Sequence, residues 1–372
     1  MTENTLTIGS RLGDYPVKFQ PDFRFLADLA TRPNPVLLVD ANVLRLYETH
    51  LREAFGDRPI YALEAIEARK TLDEASRVCQ WILDTFNAKR NIDFISIGGG
   101  ITQDVSGFVA STLFRGIGWD FVPTTLLAQC DSCIGGKTSI NFGSRKNLLG
   151  TFYPPRAIHL CPAFTRTLTR LDLFSGYGEI AKFLLMRAFE SGLPVQSVSE
   201  KFALVLRQSS DGALSEIIHE SLDIKNAFMK DDEFDRGRRN LLNYGHCFGH
   251  ALEAASDYFV PHGIAVNIGI IFANIVAASR GLISQETCEH ITRTVNIPLL
   301  AQPQRPTDYE AAPLLANLKN DKKRTGAGLP LVVPVANGLV KLDDFSETEF
   351  RHALDALRAI LFSTNTSPKE TP

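Results

Sequence analysis

Two short apolar runs with one long amphipathic run between them do most to limit what this chain can become. Pro35-Val36-Leu37-Leu38-Val39-Asp40 reads as a buried strand, Leu72 to Phe86 carries helical apolar spacing, and Asp93-Phe94-Ile95-Ser96-Ile97 reads as a second strand running into three glycines. Strand, helix, strand in that rhythm needs a crossover connection, and a crossover makes the strands parallel. Ligands bind such sheets beyond the carboxyl ends of the strands, where Asp40 and Gly98-Gly99-Gly100 fall. From about Leu171 the pattern changes: Gly178–Ser191, Ala213–Lys230, Arg239–Ser256 and Ile264–Ala278 space their apolar residues three to four apart. The expectation is an α/β domain with a parallel sheet over 1–170, a mainly α-helical domain over 171–362, and a flexible polar tail over 363–372.

A chain of 372 residues is long enough for two or three units with their own cores. Its 39 basic and 42 acidic side chains leave a net charge of −3, which supplies no long-range attraction for nucleic acid or an anionic bilayer. With 44% apolar and 22% charged residues, global disorder is excluded. The six cysteines are scattered, and the N-terminal MTENTLTIGSRLGDYPVKF has no apolar core of the signal-peptide kind. No stretch reads as a membrane span of about 18 apolar residues. Free thiols and a cytoplasmic location are expected, with no nucleic-acid or membrane partner.

Three segments carry residue types suited to chemistry. Gly98-Gly99-Gly100-Ile101-Thr102-Gln103-Asp104 follows a strand, so its backbone can approach a phosphate and a following helix start offers free N–H donors. A tight strand-to-helix turn without a ligand uses the same residues. Pro123-Thr124-Thr125 through Asp131, then Gly135-Gly136-Lys137-Thr138 and Arg145-Lys146-Asn147, bring hydroxyls, a carboxylate, glycines and lysines together as a polyanion site would, although GxxxxGK[ST] is absent. The bland alternative is a loop with solvated lysines. Cys130 and Cys133 form a lone CxxC with no second pair, which gives little support to a structural metal.

The third segment is Asn243-Tyr244-Gly245-His246-Cys247-Phe248-Gly249-His250, followed by Pro261-His262-Gly263. On a helix His246 and His250 share a face, and three histidines this close favour a metal or phosphate site over isolated core imidazoles. Two imidazoles and a carboxylate with an open position suit a catalytic dication, and Glu179 in Ser175-Gly176-Tyr177-Gly178-Glu179-Ile180-Ala181-Lys182 is the attractive carboxylate. Spacing alone also allows Glu179 and Lys182 to be an i,i+3 surface pair. Lys319-Asn320-Asp321-Lys322-Lys323 reads as a solvated turn, the usual fate of such a charge run.

Taken in order, GGGITQD, FRG, PTTLLAQCD, GGKTSIN, KN, SGYGEIAK, LLNYGHCFGH, PHGIAV and NDKK, from about Val36 to Gly338, resemble the 3-dehydroquinate synthase family of sugar phosphate cyclases. The resemblance implies an N-terminal nucleotide-binding domain, a helical metal-binding domain, bound NAD⁺ and one dication, Zn²⁺ or alternatively Co²⁺. It places the metal on Glu179, His246 and His262 and leaves His250 for the substrate. It assigns NAD⁺ to Asp40, Glu67, Lys70, Gly99, Gly100 and Asp104, with Thr124, Thr125, Asp131, Lys146 and Thr167. Substrate would meet Lys137, Asn147, Lys182, Lys225, Arg239, Asn243 and His250, with Lys322 or Lys323. Arg115 matches an arginine that reaches the neighbouring subunit's phosphate, which implies a homodimer.

The implied reaction is cyclisation of the sugar phosphate 3-deoxy-arabino-heptulosonate 7-phosphate to 3-dehydroquinate, with transient oxidation by NAD⁺, loss of phosphate, return of the hydride and an intramolecular aldol closure. That makes the enzyme a carbon–oxygen lyase of aromatic amino acid biosynthesis by the shikimate route. This chain reads Asp232-Glu233-Phe234-Asp235-Arg236-Gly237-Arg238-Arg239 where family members read close to EREGGLR, and Cys130 and Cys133 replace residues usually small or apolar. These departures bear on the substrate. A sister cyclase acting on sedoheptulose 7-phosphate or glucose 6-phosphate is the first alternative, and a metal-dependent NAD alcohol dehydrogenase the second.

Overall fold

The computed structural model describes residues 5–143, 145–207, 211–319 and 328–362. Packing divides the chain into two compact units, Met1–Gly176 with Gln208–Arg239, and Tyr177–Arg207 with Asn240–Pro372. The sequence reading set one boundary at 170/171; the structure instead returns 208–239 to the first unit. Amphipathic periodicity identifies a helix but not the partner that covers its apolar face. Lys322, Lys323 and the tail lie outside the described residues.

In the first unit, strands β1 (Thr5–Ile8), β2 (Tyr15–Phe19), β3 (Pro35–Asp40), β4 (Ile60–Leu63), β5 (Asp93–Gly98), β6 (Trp119–Pro123) and β9 (Ala157–Leu160) form one sheet in the order β1-β2-β9-β6-β5-β3-β4. Only β1 and β2 pair antiparallel; every other pair is parallel. Helices α1 (Phe25–Ala30), α2 (Ala41–Leu46), α3 (Glu48–Phe55), α4 (Leu72–Phe86) and α5 (Gly100–Thr112) lie between the strands in sequence. Leu37, Val39, Ile95, Ile97 and Val122 pack with Leu26, Leu51 and Phe55 in a core, each such side chain contributing roughly 1.5–3 kcal/mol by leaving water. The start of α4 is fixed by Thr71 Oγ1, which accepts from Glu74 N at 3.2 Å, and it stops at Asn87 in the left-handed region. Chain order reverses between β3 and β5, the place where doubly wound sheets open a crevice at their carboxyl edge.

The glycine- and lysine-rich stretch is not the loop its composition suggests. Strands β7 (Lys137–Phe142) and β8 (Arg145–Phe152) pair antiparallel as a separate hairpin. The hairpin carries Lys137 and Asn147 exposed and Lys146 half-buried.

Helix α6 (Arg170–Ser191) crosses the sequence boundary into the second unit, which continues with α7 (Gln196–Arg207); α8 (Asp211–Met229) belongs to the first unit. The second unit then holds α9 (His246–Ala255), α10 (His262–Ser279), α11 (Gln285–Ile291), α12 (Ala311–Lys319), the hairpin β10 (Leu329–Val335) and β11 (Gly338–Phe345), and α13 (Glu347–Phe362). The expected continuous helix over Arg239–Ser256 is broken, because Gly245 takes φ 78° and the segment before it is a 3₁₀ turn. Contrary to the sequence expectation, α10 is long and apolar enough to match a membrane span. It is 78% buried and packs on α9, α13 and β10 as the central core helix of its unit.

Candidate functional site

Glycines seat the elements of the histidine cluster. A Cβ on Gly178 would stand 2.0 Å from Gly263 O, and one on Gly269 1.9 Å from Gly245 O, so α6, α9 and α10 touch backbone to backbone. Glu179, His246 and His262 each sit one residue from such a contact. Short interhelical spacing lets three side chains from three helices converge on one point.

Glu179 is 0% exposed, and its Oε1 lies 3.3 Å from His246 Nε2 and 3.2 Å from His262 Nε2. Lys182 Nζ stands 2.5 Å from Oε2, one turn along α6, and is itself 2% exposed. The surface-pair reading of Glu179 and Lys182 is thereby excluded. Neither Glu179 oxygen accepts a hydrogen bond of good angle. Burial opposes its charge, yet Lys182 and His246 outweigh burial and hold the carboxyl well below the usual range. Burial, with Lys182, lowers His246. Burial also opposes a charge on His262, but Glu253 and Glu179 prevail and lift it to about 10. A buried carboxylate faced by two Nε2 atoms is a donor set that a dication fits.

Both imidazoles are anchored through their other nitrogen. His262 Nδ1 lies 3.0 Å from Glu253 Oε2, and His246 Nδ1 lies 3.3 Å from Tyr244 O. Tyr244 is fully buried and donates to Asn274 Oδ1 on α10 at 2.5 Å. His250 joins the group: it, His246 and His262 offer ring nitrogens within 4.8 Å of one another. Sequence reasoning passed over Glu253, although His246, His250 and Glu253 fall at i, i+4 and i+7 of one helix face.

At the carboxyl edge of the sheet, Asp40 ends β3, Gly99 follows β5, Thr124 and Thr125 follow β6, and Thr167 closes the turn after β9. Asp40 caps α2 by accepting from Asn42 N at 2.8 Å. Helix α5 has Gly99 at its cap position and no side-chain cap, which leaves its first N–H groups available beside Gly100. A Cβ on Gly99 would come within 2.9 Å of Thr125 Cγ2. These features fit the pyrophosphate of a dinucleotide. Lys70 ties Asp104 at 2.5 Å to Asn147 Oδ1, also at 2.5 Å, while Glu67 accepts from Asn141 Nδ2 at 2.9 Å and pairs with Lys146 at 3.5 Å. Asn147, assigned to substrate by resemblance, thus stands with residues assigned to NAD⁺.

Lys137, Lys225 and Arg239 are engaged within the first unit. Lys137 pairs with Asp235 at 2.7 Å. Lys225 meets the Asp131 carboxylate at 2.6 Å and donates to the Asp131 and Ile134 carbonyls, occupying its three protons. Arg239 donates through Nη1 to Glu233 O and through Nη2 to Gly135 O at 3.2 Å, while its Nε is buried without a partner. Glu233 in turn accepts from Ser10 Oγ at 2.6 Å and Arg11 N at 3.0 Å. Arg115 is exposed on a turn where Phe114 and Arg115 both take positive φ, 51° and 61°. Lys182, Asn243 and His250 belong to the second unit. Cys130 and Cys133 are buried and form no disulfide.

The fold is that of the dehydroquinate synthase-like sugar phosphate cyclases. The structure of ValA, a 2-epi-5-epi-valiolone synthase from Streptomyces hygroscopicus subsp. jinggangensis 5008 with NAD⁺ and Zn²⁺ bound, is 25% identical, covers 95% of this chain and 99% of its own, and superposes with a TM-score of 0.82. A 2-deoxy-scyllo-inosose synthase complexed with carbaglucose-6-phosphate, NAD⁺ and Co²⁺ shares the fold at 21% identity and TM-score 0.77, over 94% of this chain and 99% of that one. The family models for the 3-dehydroquinate synthase N-terminal and C-terminal parts match residues 60–175 and 176–324. A 3-dehydroquinate synthase of Thermoanaerobacter sp. (strain X514) is 31% identical over 94% of this chain and 99% of its own length. The chain belongs to the 3-dehydroquinate synthase family.

Proposed function

We propose that this protein is a 3-dehydroquinate synthase, a phosphate-eliminating cyclase that converts 3-deoxy-arabino-heptulosonate 7-phosphate to 3-dehydroquinate and inorganic phosphate. The observation that carries the reading is the buried Glu179 carboxylate faced by two imidazole Nε2 atoms at 3.3 and 3.2 Å, in a chain of this family. Glu179, His246 and His262 would hold a dication, and the carboxyl edge of the sheet, from Asp40 to Thr167, would hold NAD⁺. When bound, NAD⁺ supplies a hydride acceptor and donor, and the dication supplies Lewis acidity toward a substrate hydroxyl.

The chain's own residues do the rest. Lys182 keeps Glu179 anionic, and its ammonium is the nearest fixed positive charge to that carboxylate. His250 stands beside the two ligand rings, with centroids 5.3 and 5.6 Å away, close enough to give or take a proton at a substrate oxygen. Asn243, immediately before the histidine segment, would orient substrate hydroxyls. Lys137 and one lysine of Lys322-Lys323 would bind phosphate, Lys137 by exchanging Asp235 for it. Lys225 holds Asp131 and the turn before Gly135 in place. Arg115, raised on its strained turn, would complete the phosphate site of a second copy in a cytoplasmic homodimer.

A second reading is favoured by one observation. Each terminal nitrogen of Arg239 gives one of its two N–H groups to a main-chain carbonyl, so the guanidinium is partly committed to the backbone before any carboxylate arrives. A sister cyclase for a sugar phosphate without a carboxylate asks nothing further of that guanidinium. Phosphate release without net NADH, measured over a panel of sugar phosphates, separates the readings. Turnover of the heptulosonate phosphate is expected. Turnover of sedoheptulose 7-phosphate or glucose 6-phosphate alone would establish the sister cyclase, and stoichiometric NADH would establish a dehydrogenase.

A further inference from the structure

We infer that Glu253 is a positioning residue for the metal, fixing the ring of His262 and the charge around it; the inference rests on the dication site proposed above. Glu253 lies on α9 and His262 opens α10, so their 3.0 Å contact between Oε2 and Nδ1 spans the loop that joins the two helices. That loop is tightly formed. Asp257 and Tyr258 take φ of 50° and 60°, Arg305 Nη2 donates to Ser256 O at 3.0 Å, and Gln302 Nε2 donates to Phe259 O at 3.1 Å. Backbone geometry sets where His262 begins, but it leaves the imidazole free to turn about its side-chain bonds. The Glu253 contact removes that freedom.

A neutral imidazole carries one proton, on either nitrogen. With Nδ1–H donated to Glu253, Nε2, the atom that faces Glu179 Oε1 at 3.2 Å, is the nitrogen that would exchange its proton for a dication. His246 receives the weaker version of the same treatment, its Nδ1 lying 3.3 Å from the Tyr244 carbonyl. One ligand ring is thus held by a neutral acceptor and the other by a charged one. The charged acceptor makes His262 the more basic donor, and it adds a second negative charge to that of Glu179, which offsets the positive charge of the adjacent Lys182.

The test uses Co²⁺ alone as probe, on the full-length chain stripped by a chelator. Wild type should bind Co²⁺ with a visible absorption band. Glu253→Ala should raise the dissociation constant by about 10–100-fold and alter the band, and Glu253→Gln, which keeps an acceptor oxygen without the charge, should fall between them. Circular dichroism of the stripped proteins checks the fold; should the alanine variant fail to fold, the isosteric glutamine variant decides. Superimposable spectra and equal affinities in wild type and the Glu253 variants, with binding lost in His262→Ala, would overturn this inference alone. Wild type that takes up no Co²⁺ would overturn the metal site and this inference with it.

Discussion

A carboxylate without exposed surface stays ionised only where cations surround it, and Glu179 has Lys182 and two imidazoles. Removing one of the three proposed ligands would leave too few donors to retain a dication. His262→Ala is therefore expected to lose bound metal while keeping its fold, as read by elemental analysis after gel filtration and by circular dichroism; full occupancy and activity would show the ligand set to be wrong. A second residue-scale effect concerns stability. Asp120 on β6 is fully buried and meets Arg32 at 2.5 Å and His159 at 2.9 Å. Burial opposes its charge, but His159 and Arg32 prevail and lower it to about 2 from an ordinary 3.8. A carboxyl depressed in the folded state stabilises above its unfolded value and loses that contribution as pH falls through the folded one. About 2 kcal/mol should disappear between roughly pH 4 and pH 2, and Asp120→Asn should flatten this part of a denaturation-against-pH curve. An unchanged acid limb in the variant would contradict the assignment.

At the scale of elements, glycine decides how close the helices come. Gly178→Ala puts a methyl 2.0 Å from a main-chain oxygen of Gly263, which only a shift of α6 against α10 can relieve. Such overpacking costs about 1–3 kcal/mol, and it moves His262 away from Glu179. Chemical denaturation and metal content should fall together; a destabilised variant with full metal occupancy would uncouple packing from the site. On the sheet, Gly99→Val crowds Thr125 at the uncapped start of α5. Weakening of NAD⁺ binding by about tenfold or more, near 1.4 kcal/mol, is expected in a fluorescence titration. Tight binding by that variant would remove the pyrophosphate from this turn.

For the whole molecule, a homodimer that shares Arg115 makes an arithmetic prediction. Arg115→Ala and His262→Ala should each be inactive, yet a mixed dimer would contain one site with an intact metal set and Arg115 of the partner subunit. Equal mixing with subunit exchange should recover about a quarter of wild-type activity. No recovery, with mixed dimers demonstrated, would place Arg115 in its own subunit's site.

Local pattern was enough for strands β3 and β5 and for helix α4, whose limits at Leu72 and Phe86 follow from its Thr71 cap and its run of apolar spacing. Residue types likewise pointed to a carboxylate and histidines as the site, because few other groups bind a dication. Sequence could not show that Gly136-Lys137-Thr138 opens a ribbon, since lysine and asparagine leave strand and loop equally plausible until Thr138 and Thr151 face each other. It could not return 208–239 to the first unit, nor join Glu253 to His262 across a left-handed loop. Periodicity records which side of an element is apolar; which surface covers that side, and how near two helices approach through glycine, are properties of the packed molecule. Only at those packed distances do Glu179, Lys182, Glu253 and three histidines become one electrostatic group.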